Sequence, residues 1–483
     1  MKFNINVIAN IIGILLMING FLMLTAVPFG IYHMESTWKG MLVSSFINSA
    51  VGFLLYYRTK DNKNKDLRRR DGYLIVTSSW VFMCLFGLLP YIITNQIPNL
   101  SNAFFETVSG YTTTGATILD DIESLDHSIL YWRSLTQWIG GMGIIVFYIA
   151  ILPLLGVGGV QLFKAEVPGP VADKIKPRVK ETAKFLWIIY VGITLAEMIA
   201  LRIAGMETFD AICHAFTTMP TGGFSTKNAS IAYYNSPMIH YIIILFMFLA
   251  GINFSLHFKA INGDIKIYFK DKEFLVYLLI IVFVSLIILL TLSYRTNTFS
   301  DVSLRESLFG TIAILTGTGY VLGNYEIWPI FLQMILLVLM FIGGMGGSTT
   351  GGMKVIRVLL LVKYAALETR RMLHSRALLP VKIGKQLIKE DVVRNTLGFF
   401  LFFMSAFIIS SILLSTMGLD IESSIGAAAS AMGNIGPALG EFGPTDNYAL
   451  MPNAGKWLLT FCMLLGRLEL FTVIVLFSKT YWK

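Results

Sequence analysis

Four short segments of this chain combine glycine with threonine, proline or asparagine, and each lies between a short apolar run and a long one. Glycine permits backbone angles that turn carbonyl oxygens inward, and four such segments can replace the hydration shell of a cation. The chemistry that we predict is therefore coordination of a cation by backbone oxygens. The candidate ligands are Thr112, Thr113, Thr114, Gly115, Pro220, Thr221, Gly222, Gly223, Thr316, Gly317, Thr318, Gly319, Gly433, Asn434, Ile435 and Gly436.

The four segments belong to one repeated unit. Successive aligned glycines are 108, 96 and 117 residues apart (223 − 115, 319 − 223 and 436 − 319). The short apolar runs that precede them lie near residues 100–111, 208–218, 301–314 and 421–431. Runs of about 10 to 14 residues are too short to span a bilayer, so each is predicted to be a re-entrant helix that returns as extended chain.

The carboxyl end of each re-entrant helix carries partial negative charge, which favours a cation at the centre of the bundle. A single glycine and threonine stretch is better explained as a patch where helices pack closely. Four regularly placed copies favour an ion filter over four separate packing patches.

The composition indicates an integral membrane protein. Of the 483 residues, 55% are hydrophobic and only 14% are charged, and the mean hydropathy is +0.68. Soluble domains carry roughly 25% charged residues. The three cysteines, Cys84, Cys213 and Cys462, are scattered in apolar sequence, so we interpret them as small core residues and not as disulfides or metal ligands.

We predict an all-α polytopic membrane protein with four pseudo-symmetric helix, pore-helix, filter and helix repeats around one pore, preceded by two N-terminal helices. Ten spanning helices are expected, near residues 7–27, 40–57, 73–94, 134–160, 185–204, 238–256, 274–294, 328 onward, 396–417 and 457–478. The predicted divisions are 1–71 for the N-terminal helices and a basic loop, 72–163, 164–257 and 258–395 for repeats 1 to 3, and 396–483 for repeat 4.

Basic residues orient this bundle. Thirty of the 38 Lys and Arg residues lie at the termini or in the stretches 58–70, 164–184, 259–272 and 354–394. The positive-inside rule places these stretches and both termini in the cytoplasm. The glycine segments then open to the outside, where acidic residues predominate. Each acidic residue alone is explained by a solvated surface, but together they concentrate cations at the pore mouth.

Several longer strings carry a family resemblance. They are TTMPTGGFST at 217–226, GGMGGSTTGGMKVIR at 343–357 and GRLELFT at 466–472, together with the repeated helix, pore helix, TTTGA-type segment and helix. With these, the chain resembles the Trk/Ktr/HKT superfamily of potassium transporters over essentially its whole length. The two extra N-terminal helices are similar to the TrkH/TrkG branch and not to the shorter KtrB branch.

The resemblance implies potassium uptake, also of rubidium, across the bacterial inner membrane. Each repeat would supply one strand of a single filter, and a glycine at all four aligned positions marks a preference for potassium. The fourth segment departs most from the threonine-rich pattern. The resemblance further implies a homodimer on a ring of TrkA-type cytosolic subunits that bind NAD and adenine nucleotides.

Other partner classes follow from the residues. We find no nucleotide-binding motif on this chain and expect no nucleic-acid partner, so the transported potassium ion is the only cofactor expected. The basic cytoplasmic loops are expected to contact lipid headgroups.

A second glycine-rich stretch interrupts the apolar run after residue 328. Six glycines in ten residues cannot hold a helix, since each costs roughly 1 kcal/mol relative to alanine. A hinge or a close helix crossing would explain the stretch, and the resemblance implies instead an intramembrane loop that acts as a gate under the filter. The glycines are Gly343, Gly344, Gly346, Gly347, Gly351 and Gly352.

Arg467 lies in the middle of the last predicted span, where a charge is costly and usually functional. A structural ion pair is one explanation, but Glu469 is a poor partner because residues two apart on a helix do not face each other. The resemblance implies that Arg467 points into the pore beneath the filter.

Two alternatives to a channel-like pore remain open from the residues. A membrane enzyme would need clustered nucleophiles, bases or metal ligands, and no such motif occurs in the sequence. A potassium transporter obligatorily coupled to protons or sodium is the closer alternative, since broken helices also build such sites. Glu197, Arg202 and His240 are candidates for a coupling pathway, although Arg202 and His240 lie near segment ends, where snorkelling explains them equally well.

Overall fold

The computed structural model describes residues 4–60, 69–143, 179–373, 379–384 and 386–482. Within those ranges the chain is almost entirely helical. Two strands of two residues each, Lys382–Ile383 and Gln386–Leu387, form an antiparallel pair. The predicted all-α class is therefore confirmed, because so small a hairpin adds no layer to the helical bundle.

The helices of the first half of the chain are Ile5–Leu24, Val27–Tyr32, Thr37–Thr59, Arg69–Gly87, Leu89–Ile93, Leu100–Tyr111, His127–Trp138, Val179–Ile203, Thr208–Thr218 and Pro237–Ala250. Those of the second half are Phe254–Ile261, Ile267–Lys270, Lys272–Thr296, Asp301–Thr316, Ile330–Ile342, Val355–Leu373, Glu390–Thr416, Ile421–Gly433, Asn453–Arg467, Phe471–Ile474 and Lys479–Trp482. A π-helical turn, Ile139–Gly143, and short 3-10 turns complete them.

Four short helices lead into the glycine segments, close to where the sequence places them. Short helices 1 to 4 are Leu100–Tyr111, Thr208–Thr218, Asp301–Thr316 and Ile421–Gly433. Three of them begin at a polar cap, where the side chain of Asn99, Ser300 or Asp420 accepts a backbone N–H of the first turn. Each short helix runs toward its glycine segment, so all four carboxyl ends lie at those segments.

Six described helices are long and apolar enough to cross a membrane, and two bent helix pairs bring the number to eight. The predicted number was ten. Ile330–Ile342, with 13 residues, is shorter than a span. The second half of the span predicted at 134–160, and most of the basic stretches at 58–70 and 164–184, lie outside the described residues.

One bend breaks the span predicted at 238–256. The helix Pro237–Ala250 and the helix Phe254–Ile261 meet at 102°. Gly251 lies in the break, where a Cβ atom would overlap with the hydroxyl of Tyr277. The apolar pattern of the sequence continues through this point, so the pattern alone did not reveal the bend.

The other bend breaks the last predicted span. Asn453–Arg467 and Phe471–Phe477 meet at 109°. Glu469 and Leu470 adopt positive φ values of 55° and 33°, which no helix can accommodate. Arg467 therefore lies at a helix end and not in the middle of a straight span.

The two N-terminal helices cross closely and are fastened to the first repeat. Gly13 and Gly52 face each other at the crossing, and a Cβ atom on either would lie within 2.7 Å of the carbonyl oxygen of the other. Small residues at such crossings let helix backbones approach in a membrane. Asn19 donates a hydrogen bond from its side-chain amide to Asn48 Oδ1 (3.1 Å) and accepts one from the hydroxyl of Tyr111 (2.7 Å), the last residue of short helix 1.

Candidate functional site

The four glycine segments (residues 112–115, 220–223, 316–319 and 433–436) lie against one another in a closed ring, in chain order. A Cβ atom built on each aligned glycine would overlap with, or crowd, a carbonyl oxygen of the next segment. That oxygen always belongs to the residue just before the next aligned glycine. The contacts join Gly115 to Gly222, Gly223 to Thr318, Gly319 to Ile435 and Gly436 to Thr114.

The backbone of all four segments follows one pattern. The aligned glycines have φ values of 82°, 73°, 68° and 101°. Two residues earlier the chain is again left-handed, at Thr113, Thr221, Gly317 and Asn434, with φ of 53°, 59°, 70° and 54°. The residue between has negative φ, and this alternation of handedness turns successive carbonyl groups toward the same side of each segment.

Threonine hydroxyls support the first and third segments from within. The hydroxyls of Thr112 and Thr114 lie 2.7 Å apart, and those of Thr316 and Thr318 lie 2.8 Å apart. All four side chains are fully buried. These two segments are thus stabilised by hydrogen bonds between their own threonine side chains, which are not exposed at the protein surface.

The fourth segment, which departs from the threonine pattern, uses an asparagine instead. Asn434 tolerates the left-handed conformation that this position requires. Its side-chain amide donates to the hydroxyl of Thr114 at 3.0 Å and to the carbonyl of Met463 at 2.9 Å. Asn434 therefore joins segment 4 to segment 1 and to the helix Asn453–Arg467.

Gln137, which is not among the predicted site residues, holds the second segment. Its amide nitrogen donates to the carbonyl of Gly222 at 2.8 Å, and its amide oxygen accepts from the backbone N–H of Phe224 at 3.1 Å. The sequence shows only a glutamine inside a predicted span, three residues before the pair Gly140-Gly141, and in the structure its side chain is fully buried. The second segment is thereby fixed to the helix His127–Trp138 of repeat 1.

The glycine-rich loop at 343–352 lies directly against the ring. A Cβ atom on Gly351 would overlap with the carbonyl oxygen of Gly433, at the start of segment 4. On the other side, the Thr349 hydroxyl donates to the carbonyl of Met219 at 2.9 Å, next to segment 2. The loop therefore contacts segment 4 and the residue that immediately precedes segment 2.

Glu273, at the start of the helix Lys272–Thr296, anchors the same loop. Its Oε1 atom accepts the backbone N–H of Gly346 at 2.7 Å and that of Ile356 at 3.1 Å. Lys354 donates to the carbonyl and to the hydroxyl of Thr350. The loop is thus held in place by charged side chains from its own and a neighbouring element.

Arg467 also holds the loop. Its guanidinium donates to the carbonyl of Thr349 at 2.7 Å, and to those of Gly140 and Gly141 at 2.6 and 3.0 Å. Glu469 forms an ion pair with Arg357. Glu469 lies beyond the end of the helix, so the helical spacing on which it was predicted to be a poor partner for Arg467 does not apply here.

The three other polar candidates do not form one chain of contacts. Glu197 is fully buried, near Thr218 and Tyr320, and neither carboxyl oxygen has a hydrogen-bond partner in the described part of the protein. His240 contacts the Tyr234 carbonyl at 2.6 Å and Arg305 at 2.9 Å, whereas Arg202 is exposed.

Comparison with known proteins places this arrangement in a family. The family model described as TrkH, a cation transport protein, matches residues 39–483. The Trk system potassium uptake protein TrkH of Salmonella typhimurium is 40% identical over 483 residues, which cover 99% of each chain. TrkG of Escherichia coli is 34% identical over 488 residues, again with 99% of each chain covered.

A solved structure agrees with the sequence relatives. The crystal structure of the potassium transporter TrkH from Vibrio parahaemolyticus matches with a TM-score of 0.89 at 36% identity, and the match covers all of both chains. Both the predicted resemblance and the predicted polytopic helical fold are confirmed by these matches. The chain is a member of the TrkH family of cation transport proteins.

Proposed function

We propose that this protein takes up potassium, and also rubidium, through a channel-like pore whose filter is the ring of glycine segments. One observation carries the proposal, namely that four equivalent carbonyl oxygens lie in a closed ring whose spacing leaves no room for a side chain on the glycines. Carbonyl rings of this kind replace the hydration shell of a potassium ion. The relatives, which are named potassium uptake proteins, agree with that cargo.

Electrostatics favour a cation at the ring. The four short helices end at Tyr111, Thr218, Thr316 and Gly433, immediately before or within the glycine segments. The partial negative charges of their carboxyl ends therefore converge on the ring. No carboxylate is needed among the ligands, which is consistent with a site that releases its ion quickly.

The loop at 343–352 is proposed as the gate, with Arg467 as part of it. The loop contacts segment 4 and Met219, the residue before segment 2, and Arg467, Glu273 and Lys354 hold it there. An ion leaving the ring on this side meets the loop first. Movement of the loop, and release of the bonds that anchor it, would open the path.

Obligatory coupling to protons or sodium is the second candidate. The buried Glu197 favours it, because a fully buried carboxyl group is costly unless it binds a proton or a cation or is well hydrogen-bonded, and among the described residues only Thr218 lies close enough to help. Its position beside Thr218, at the end of short helix 2, would place a coupled ion near the ring.

The membrane location and the partner proteins are also part of the proposal. A multi-pass protein of the bacterial inner membrane with both termini in the cytoplasm fits the distribution of Lys and Arg. The relatives' names refer to a Trk system, which supports a multi-component assembly. We propose a homodimer on a TrkA-type cytosolic ring that binds NAD and ATP, with membrane lipids around it and no enzymatic activity of its own.

Growth of a bacterial strain that lacks potassium uptake tests the proposed function. Expression of this chain is expected to restore growth at limiting potassium, whereas a chain with Gly223→Ser and Gly319→Ser is not. Failure of the unaltered chain to restore growth, with the protein present in the membrane together with its cytosolic partner, would argue against potassium uptake.

A further inference from the structure

A buried ion pair lies among the helices that surround the ring of glycine segments. Glu106 in short helix 1 and Arg133 in the helix His127–Trp138 meet at 2.6 Å between Oε1 and Nε, with side-chain exposures of 0% and 2%. The guanidinium also lies over the ring of Phe224, with its Cζ atom 3.6 Å from the centroid. Nothing in the proposed conduction path uses this pair, although it carries two full charges in the interior.

The contacts of the pair connect two glycine segments just beyond the ring. Glu106 accepts hydrogen bonds from the Thr117 hydroxyl at 3.0 Å and from the backbone N–H of Ile118 at 3.0 Å, which follow segment 1. Arg133 donates through Nη1 to the carbonyl of Ser225 at 2.9 Å, which follows segment 2. One ion pair therefore fixes where segment 1 and segment 2 leave the ring, relative to each other.

Repeat 2 carries a neutral counterpart at the same positions. Glu106 lies nine residues before its aligned glycine and Thr117 two after it, and His214 and Ser225 occupy the same offsets in repeat 2 (115 − 106, 117 − 115, 223 − 214 and 225 − 223). His214 contacts the Ser225 hydroxyl at 3.0 Å. The side-chain brace across the exit of a segment is thus repeated with an imidazole in place of the carboxylate. In repeat 2 the charged Asp210 of short helix 2 binds the next two residues, Thr226 and Lys227.

Repeats 3 and 4 place small residues where Glu106 and His214 lie. The positions nine residues before their aligned glycines are Gly310 and Ala427 (319 − 9 and 436 − 9). Segment 4 is held instead by the hydroxyl of Tyr325, which donates to the carbonyl of Ala438 at 2.8 Å, and by that of Tyr448, which donates to Gly436 at 2.9 Å. The Glu106–Arg133 pair therefore connects the exits of segments 1 and 2, whereas the Asp210–Lys227 pair joins two residues of repeat 2.

Stability alone does not explain such a pair. Removing two charges from water is so costly that a buried ion pair is often no better than two apolar residues of the same size. What the pair does supply is fixed geometry, because the planar guanidinium bonds in set directions and is held flat on Phe224. Fixed geometry sets where the carbonyl oxygens that replace an ion's hydration shell are placed.

We propose that Glu106 and Arg133 are positioning residues for ion selectivity, which set the separation of segments 1 and 2 and hence the size of the carbonyl ring. The inference rests on the proposed filter function of the ring. Neither residue contacts the ion. A shift of segment 2 away from segment 1 would widen the cage on one side, which lets it accommodate ions of other sizes.

Potassium and sodium fluxes into liposomes, measured per folded full-length protein, test the proposal. Arg133→Lys keeps the charge but lacks the planar guanidinium, whose separate nitrogens bond to Glu106 and to Ser225. We expect its ratio of potassium to sodium flux to fall about tenfold. Thr117→Val keeps the side-chain shape and removes one donor to Glu106, so a fall of about twofold to threefold is expected.

Arg394→Lys is the matched control, since Arg394 forms an ion pair with Asp391 at 2.6 Å with both side chains at least 75% exposed. Its flux ratio should equal that of the parent. A purely structural role for the brace predicts lower yield and equal loss of both fluxes, with the ratio unchanged, and that result in folded Arg133→Lys overturns the proposal. If Arg133→Lys does not fold, an unchanged ratio in Thr117→Val overturns it. A parent protein that does not discriminate potassium from sodium contradicts the filter function itself.

Discussion

Gly436 lies against Thr114, and this contact closes the ring between the last glycine segment and the first. A Cβ atom on Gly436 would lie 2.7 Å from the carbonyl oxygen of Thr114, which is 322 residues earlier in the chain (436 − 114). The corresponding contacts at the other three aligned glycines are closer still. A side chain at any of these positions must therefore displace a carbonyl group of the ring.

Gly115→Ser and Gly223→Ser are expected to lower the ratio of potassium to sodium flux in reconstituted vesicles. The added Cβ atom pushes away the carbonyl oxygen of Gly222 or Thr318 and distorts the cage. Gly418→Ser is the control, because Gly418 also has a positive φ, of 97°, but nothing lies within 4 Å of its Cβ position. Unchanged selectivity in both ring variants would contradict the assignment of the ring as the filter.

Deletion of residues 346–350 is expected to raise potassium flux in the absence of any partner protein. These residues include Thr349, whose hydroxyl donates to the carbonyl of Met219 beside segment 2. Their deletion removes the part of the loop that lies at the exit of the ring, so an ion can leave more easily. The measurement is potassium flux per folded protein. A shortened chain that folds and conducts no faster than the parent would identify the loop as a hinge or packing element.

Glu273→Ala provides a point-substitution test of the same gate. Glu273 holds the loop through a single oxygen that accepts two backbone N–H groups. Alanine removes that oxygen and is expected to raise potassium flux, whereas Glu273→Gln keeps an equivalent acceptor and should behave more nearly like the parent. Equal flux in all three proteins would show that this anchor does not control opening.

Arg467→Ala is expected to increase potassium flux, by up to about one to two orders of magnitude, with selectivity unchanged. A cation about 8 Å from a guanidinium is repelled by about 2 kcal/mol at an effective dielectric of 20, and the substitution also frees the carbonyl of Thr349. Flux is again measured per folded protein. Slower flux from well-folded Arg467→Ala would mean that the arginine holds the path together and does not obstruct it.

Arg467→Lys distinguishes the two contributions of this residue. Lysine keeps the charge but cannot bond the carbonyls of Thr349, Gly140 and Gly141 with one planar group. If repulsion dominates, the lysine variant conducts like the parent. If anchoring of the loop dominates, it conducts faster, as the alanine variant does.

Glu197→Gln tests the coupled alternative. The amide has nearly the shape of the acid but cannot exchange a proton, so an uncoupled pore is expected to conduct potassium at the parent rate. Proton movement is recorded with an internal pH dye while a potassium gradient drives flux. Potassium-driven proton movement in the parent that disappears in Glu197→Gln would establish coupling through this carboxyl group.

Much of the architecture could be predicted because local patterns determine it. The polar caps and apolar lengths of the short helices fix their bounds, and the aligned glycines report positions that need a left-handed backbone. The two bends could not be predicted in this way. They depend on contacts such as that of Gly251 with Tyr277, which join residues distant in sequence while the apolar pattern continues unbroken.

The supporting residues of the site were missed for the same reason. Gln137 and Arg133 lie one helical turn apart and both face segment 2, but nothing in their spacing reveals which segment they meet. The role of Asn434 was likewise hidden, since its partner Thr114 belongs to the first repeat. Arg467 was recognised as unusual from its position, whereas its three carbonyl partners became visible only in the fold.

The ring of carbonyl groups is proposed to conduct potassium selectively and without a second driving ion. Ion flux into liposomes that contain the purified protein, with no proton or sodium gradient imposed, measures this most directly. We expect potassium and rubidium to move down their own gradients while sodium flux stays far smaller. Equal fluxes of potassium and sodium, or potassium flux that appears only when a proton or sodium gradient is imposed, would contradict it.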